Sequence, residues 1–572
     1  MKKAAKHFKG YIKETILSPL FKLCEALLEL IVPLIIANII DVGIANSDMG
    51  HITKMCLVLV LLGIVGLALS LTAQYFAAKS AVGFTTSLKK TLYSHLQTLS
   101  YKDIDTLGTS AIITRMTTDS SRVQSGINLT LRLLLRSPFV VFGAMIMAFS
   151  IDVQSGVSFA VAIPVLSVVV FGIMAITTPM HGKVQAGVDK ILSKTRENLS
   201  GARVVRAFAM EDAECEAFRE ENDRLTLSQK RVGHISALLN PLTHIIINIG
   251  ILCLIYTGAL RVQAGELTQG QVIALYNYMS QILVELIKLA NLIITISKAL
   301  ASLKRINSVL DTKTSQEFGE ENEGDGDSDT VLEMENVSLK YPTSSEDSLS
   351  EINITVKRGE MVGVIGGTGS GKTSLINMIP RLYDATGGTV KLFGKDISAY
   401  QKEFLTRSVS LVPQKATLLS GTIRDNLTWR KSDATDEEIL AAAKMAQALD
   451  VIDKKGGFDG KIEADGRNLS GGQRQRLTIA RALVGEPDIL ILDDSASALD
   501  YATDANLRAA LAKIKGKTTL FIVSQRAASV IDADKIIVMD DGMISAIGTH
   551  EELIRNNEVY REIYESQFEE VE

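Results

Sequence analysis

Six mostly apolar stretches before about residue 300 are each long enough to span a bilayer, which needs about 20 residues, and they leave little choice of fold for this part of the chain. Inside a bilayer every backbone N–H and C=O must be satisfied within the segment, so such stretches cross as helices. They fall near 16–42, 55–80, 129–150, 157–179, 236–262 and 271–300. Glu285 and Lys288 interrupt the sixth, which hydropathy supports least. The 572-residue chain is 47% hydrophobic, and this excess is confined to the part before about residue 300. The rest has the composition of a soluble α/β protein.

Basic residues set the expected orientation. Lys2, Lys3, Lys6, Lys9 and Lys13 precede the first stretch, and Lys89, Lys90, Arg115 and Arg122 lie between the second and third. Lys183, Lys190, Lys194, Arg196, Arg203, Arg206, Lys230 and Arg231 lie between the fourth and fifth, and Lys304 and Arg305 follow the sixth. The other loops are short and poor in Lys and Arg, which predicts cytoplasmic termini and long connections. The N-terminal segment MKKAAKHFKGYIKE lacks a short apolar core with a cleavage site, so the first stretch is expected to remain as an anchor. The long connections, about 81–128 and 180–235, keep helical apolar spacing, as in Leu107, Ile112, Ile113 and Met116. That spacing predicts spanning helices that continue into the cytoplasm and end in turns able to press on another domain.

Three membrane carboxylates need partners. Glu25 and Glu29 share one face of the first helix and are expected to be solvated or paired with Lys22 near its cytoplasmic end. Glu285 is a candidate contact for a cationic substrate. Four cysteines without a CxxC pair argue against a disulfide framework or a zinc site. A net charge of −5 implies no general affinity for nucleic acid.

Residues 311–330, DTKTSQEFGEENEGDGDSDT, are acidic and nearly free of large apolar side chains. They are expected to form a flexible boundary between a membrane domain, 1–310, and a second domain, 331–572. In the second domain strands and helices alternate. The apolar run EMVGVIG leads into GGTGSGKT and then into a helix bearing Ser374. This is the strand–loop–helix context of a P-loop, and it predicts binding of ATP with Mg²⁺. Gly366, Gly367, Thr368, Gly369, Ser370 and Gly371 turn backbone N–H groups toward phosphate, Lys372 supplies positive charge, and Thr373 offers a hydroxyl to Mg²⁺. ILIL, 489–492, ends in Asp493, a second metal candidate. Gln414, in LVPQ, can reach the metal or an attacking water, and Tyr341, ahead of Pro342, can stack on adenine.

With LSGGQ at 469–473, SALD at 497–500 and VSQR at 523–526, the chain resembles one half of an ATP-binding cassette exporter. ENLSGARVVRAF (197–208) and IIDVGI (39–44) extend the resemblance into the membrane half. The implied fold is an all-α polytopic membrane domain of six transmembrane helices with long cytoplasmic extensions, then an α/β P-loop nucleotide-binding domain with a helical subdomain. The resemblance implies that two such domains close head to tail on two ATP molecules. Each ATP would then lie between one chain's P-loop and the other chain's Ser470, Gly471, Gly472 and Gln473, with Asp500 in the adjoining loop.

Two positions depart from the family's pattern. Asp494 stands where a glutamate usually polarises water, and its carboxylate falls roughly 1–1.5 Å short. Gln525 stands where a histidine is usual, and it cannot carry charge near neutral pH. Both changes fall on the hydrolytic step, whereas LSGGQ is intact. The expectation is therefore a heterodimer in which this chain holds ATP at a slow site and completes a competent site on a partner that has the glutamate and histidine. Its cargo is expected to be drugs, lipids or peptides, and its location a bacterial plasma membrane. The alternatives are an ATP-gated subunit that does not pump and a homodimeric exporter.

Overall fold

The computed structural model describes residues 6–325, 328–342 and 344–568; Lys2, Lys3 and part of the acidic stretch lie outside them. The chain divides into two compact units. One comprises the chain up to Gln97 and Ser110–Asp311, and the other comprises Thr98–Thr109 and the chain from Thr312 onward.

The first unit is built on six long apolar helices, Ile12–Ile44, Met49–Leu96, Thr109–Ile151, Val153–Ser200, Glu211–Gln263 and Gln269–Leu310. Each contains one of the six stretches expected to span. The 48-residue helix Met49–Leu96 is roughly 72 Å long at 1.5 Å per residue, more than twice the ~30 Å hydrocarbon core. Small residues allow close packing, as with Ala26, Ala144 and Ala148 beside Phe159, Tyr278 and Met279. In IIDVGI the Asp41 carboxylate accepts from the Gly270 N–H at 2.8 Å and the Thr268 hydroxyl at 2.5 Å, fixing the end of the first helix to the start of the sixth.

The membrane carboxylates are paired. Lys22 binds Glu25, as expected, and donates to the Ser70 hydroxyl at 2.9 Å. Glu29 pairs instead with Arg136, at 2.5 Å. Glu285 takes Arg136 at 2.6 Å, Lys288 at 2.8 Å and the Ser137 hydroxyl at 2.8 Å, and it is only 3% exposed. The expectation that Glu285 contacts a cationic substrate is corrected on this point. Two cations and a hydroxyl already hold Glu285, and a buried ion survives only with such partners.

In the second unit the central sheet has six strands. Their spatial order is Met543–Gly548, Lys535–Asp540, Met361–Gly366, Thr519–Val523, Ile489–Asp493 and Val409–Val412. All neighbours are parallel except the outermost pair, Met543–Gly548 with Lys535–Asp540. Met361–Gly366, Ile489–Asp493 and Thr519–Val523 are buried along their whole length, as strands covered on both faces must be. A four-stranded antiparallel sheet, in the order Leu349–Lys357, Thr330–Leu339, Gly387–Leu392 and Lys395–Asp396, packs within the same unit. The helices Ile423–Leu427, Asp436–Met445, Leu449–Lys454 and Gly471–Leu483 supply the helical part.

Two boundaries differ from the expected ones. The described part of the acidic stretch is not free: the Gly319 N–H donates to Ser398 and Tyr400 carbonyls, the Glu321 N–H donates to the Ala399 carbonyl, and the Gln316 amide donates to the Arg381 carbonyl. Composition pointed to flexibility, but its backbone has found partners. The turn 98–109, expected in the membrane domain, belongs to the second unit. Its helix Tyr101–Leu107 is capped by Ser100 with Asp103 in a reciprocal capping box. Asp103 also accepts from the Ser315 N–H at 3.0 Å, and Asp105 accepts from the Tyr383 hydroxyl at 2.6 Å.

Candidate functional site

Three parallel strands end side by side at one edge of the central sheet, and their C-terminal ends feed a single cavity of about 400 Å³. Clefts at this end are the usual place for ligands in open α/β sheets. Met361–Gly366 delivers the glycine-rich loop, Ile489–Asp493 delivers Asp493 and Asp494, and Thr519–Val523 delivers Val523 and Gln525.

The loop depends on glycine where it turns. Gly369 and Gly371 have φ of +86° and +94°, which side chains avoid, and a Cβ on Gly371 would also touch Leu349 and the Ser348 carbonyl at 3.0 Å. Lys372 opens the helix Lys372–Met378 and folds back over the loop. Its ammonium donates to the Gly366 carbonyl at 2.9 Å, the Gly367 carbonyl at 2.5 Å and the Ser370 hydroxyl at 3.2 Å. It is 9% exposed, and burial lowers its pKa despite the opposing pull of Asp493 and Asp494. A buried cation held, among the described residues, by neutral oxygens beside turned N–H groups suits a multiply charged anion such as a polyphosphate.

The Thr373 hydroxyl donates to the Asp493 carboxylate at 3.1 Å. Burial raises the Asp493 pKa, and Asp494 adds to that rise while Thr373 and Lys372 oppose it. A hydroxyl and a carboxylate in contact at the loop's end form a hard-oxygen pair suited to Mg²⁺. The Gln414 amide lies 3.5 Å from Asp494, at the outer limit of a hydrogen bond. The Asp494 backbone has φ +43°, and its N–H donates to the Val523 carbonyl at 2.9 Å. A non-glycine residue at that φ is uncommon, and the bond from its N–H holds it there.

Thr368, Gly369, Gly371, Lys372, Thr373, Gln414, Asp493, Asp494 and Gln525 line the cavity, whereas Gly366, Gly367 and Ser370 of the loop do not. Tyr341 stands beside it. Its hydroxyl donates to Ser374 at 3.2 Å, and its ring meets Tyr383 edge-on at 5.0 Å, so it is placed next to the loop helix but is not among the lining residues. Sequence reasoning did not identify Ser344, Glu346, Asp347, Ser348, Asp541 and Gly542, which also line the wall. The DDG turn at 540–542 was a readable turn signal, but nothing in it pointed to the cavity.

Ser470, Gly471, Gly472 and Gln473 are elsewhere. Ser470 caps the helix Gly471–Leu483 in a capping box with Gln473, and Gly471 is exposed with open space where a Cβ would point. Asp500 caps Tyr501–Leu511 through the Thr503 N–H at 2.8 Å. None of these five residues lines the cavity.

Comparison with known proteins gives a consistent result. Residues 15–286 match the ABC transporter transmembrane region, and residues 349–497 match the ABC transporter family. The chain is 33% identical over 572 residues, 99% of each sequence, to the uncharacterized ABC transporter ATP-binding protein YfiB of Bacillus subtilis (strain 168). It is 29% identical over 532 residues to an ATP-dependent lipid A-core flippase of Hahella chejuensis, covering 92% of this chain and 90% of that one. The fold is similar to the solved structure of a bacterial Atm1-family ABC exporter with ATP bound. The TM-score is 0.79 at 21% identity, over 99% of both chains.

Proposed function

Since the chain belongs to the ABC transporter family, with a membrane domain fused to an ATP-binding domain in an exporter fold, we propose that it is one half of a two-chain ATP-driven exporter. One observation carries the two-chain reading. The cavity that holds Lys372 and Asp493 contains none of Ser470, Gly471, Gly472 or Gln473, whereas the exposed start of the Gly471–Leu483 helix is open. A second chain's corresponding segment would close this cavity, and this chain's segment would close the partner's.

In this reading Lys372 and the N–H groups of Gly367–Gly371 hold the phosphates, and Tyr341 supports the adenine side. Thr373 and Asp493 would hold Mg²⁺, which would offset the charge of the outer phosphates. Gln414 and Gln525 face the same end and orient groups there by hydrogen bonds. Asp494 is the weak point. Its carboxylate is one methylene shorter than glutamate and already lies 3.5 Å from the Gln414 amide. A displacement near 1 Å can cost about 100-fold in rate. We therefore assign slow turnover to this site, with a heterodimeric partner supplying the glutamate and histidine at the other. ATP favours the closed pair of domains and its hydrolysis releases them, which shifts the membrane helices between two populations.

The flippase relative, whose name specifies a lipid A-core substrate, supports an amphipathic cargo for this chain. The bacterial relatives support a bacterial plasma membrane, with the basic loops and both termini cytoplasmic. ATP turnover of the chain purified alone tests the site, with Lys372→Ala as the blank. Binding without turnover above that blank supports the slow half. Turnover well above it would replace this reading with a homodimeric exporter.

A further inference from the structure

The Gln525 backbone is bound by a residue at the far end of the chain. The loop 524–527 leaves the strand Thr519–Val523 and turns into the short helix Ala527–Ser529. Several of its backbone groups are satisfied nearby: the Ser524 N–H donates to the Val364 carbonyl, the Arg526 N–H to the Ser524 hydroxyl, and the Ala527 carbonyl accepts from Val530. Two groups are satisfied from outside, and by a single side chain. The Gln567 amide NH₂ donates to the Gln525 carbonyl at 2.8 Å, and its oxygen accepts from the Ala527 N–H at 2.9 Å. Of the uncharged side chains long enough to reach, only Gln combines a donor and an acceptor in this way.

The helix that carries Gln567, Glu558–Phe568, is firmly seated. Tyr560 is fully buried and its hydroxyl bonds His550 at 2.8 Å. Asn557 accepts from the Tyr560 N–H at 2.7 Å and donates to the Ser545 hydroxyl at 2.9 Å. Tyr564 stacks on Phe568 at 4.5 Å. The helix is thus anchored at Tyr560, and its last turn reaches back to the Gln525 loop.

We propose that Gln567 is a positioning residue that holds the Gln525 loop, and that this contact sets how well the site distinguishes ATP from ADP. The inference rests on the reading above that the cavity takes ATP with its terminal phosphate near Gln525. Gln525 and Gln567 are both exposed, so water can replace the lost bonds, and the effect falls on loop position more than on folding.

The test is equilibrium binding of ATP and ADP, with Mg²⁺, to the full-length chain. Gln567→Ala is expected to lower the ATP-over-ADP preference about three- to tenfold while leaving the ADP Kd within twofold. Gln567→Glu keeps the acceptor for Ala527 but turns a carboxylate oxygen toward the Gln525 carbonyl, and should lose at least as much of the preference as Gln567→Ala. Phe568→Ala, which keeps both bonds, should lower the melting temperature and leave the preference unchanged. Gln525→Ala should lose the same preference as Gln567→Ala, and the double variant no more than either. If Gln567→Ala weakens ATP and ADP equally, or shifts only the melting temperature as Phe568→Ala does, the proposal is overturned. If wild type itself binds neither nucleotide, or Lys372→Ala binds both as well as wild type, the nucleotide reading fails instead.

Discussion

Lys372 and Arg136 are both buried cations, 9% and 7% exposed, and the chain treats them in opposite ways. Arg136 is closed off by anions, with Glu285 on one guanidinium nitrogen and Glu29 on another. Among the described residues Lys372 has no carboxylate within bonding distance, and it rests on two carbonyls and a hydroxyl. A buried charge whose counter-ions are built in is part of the structure. One left with neutral oxygens at the edge of a cavity is poised for an anion that arrives from outside. The contrast explains why Glu285, which the sequence marks as exceptional, is a poor substrate contact, while a lysine in a common motif is a good one.

Removing Lys372 should have the largest effect. Lys372→Ala is expected to weaken ATP binding at least about 100-fold, at roughly 1.4 kcal/mol per factor of ten. The same change should leave the melting temperature of the ligand-free protein nearly unaltered, because no carboxylate loses a partner. A fall of several degrees would mean that Lys372 is as structural as Arg136.

The next effect in size is a gain. Asp494→Glu with Gln525→His should raise ATP turnover of the isolated chain on the order of 100-fold, by restoring the carboxylate reach and the ionisable group. A double variant as slow as wild type would show that the carboxylate position is not what limits the site. On the membrane side, Arg136→Ala leaves Glu285 and Glu29 without their shared cation. Breaking such a pair costs roughly 3–5 kcal/mol, visible as a lower melting temperature in detergent. Glu285→Gln with Arg136→Met removes both charges and should recover part of that loss.

The membrane helices and the P-loop were both legible in the sequence, for the same reason. Bilayer thickness fixes the length of an apolar stretch, and phosphate geometry fixes the spacing of glycines and lysine, so local pattern suffices. What stayed hidden was pairing between distant positions. Nothing near Glu285 in sequence names Arg136, which lies 149 residues away. The turn 98–109 could be read as helical, but its hydrogen bonds to Ser315 and Tyr383 could not. The acidic stretch 311–330 misled because composition reports the cost of burying side chains, whereas Gly319 and Glu321 are held by backbone bonds. In the site, Asp541 and Gly542 escaped for a related reason: their role follows from strand order, which places Lys535–Asp540 next to the P-loop strand.

The smallest expected effect is on pH, and it separates the roles of Lys372 and Asp493. Burial lowers the Lys372 pKa and raises that of Asp493. Phosphate binding needs Lys372 charged, so ATP affinity should begin to fall at a lower pH than an ordinary lysine would allow as the solution is made alkaline. Metal binding needs Asp493 ionised, so Mg²⁺-dependent affinity should fall as pH drops through a carboxyl pKa above the usual range. Affinity for MgATP is then a bell narrowed from both sides. Measured without Mg²⁺, the acid limb should flatten while the alkaline limb stays, since only the acid limb runs through Asp493. An alkaline limb that persists in Lys372→Arg, whose guanidinium stays charged, would assign that limb to another group.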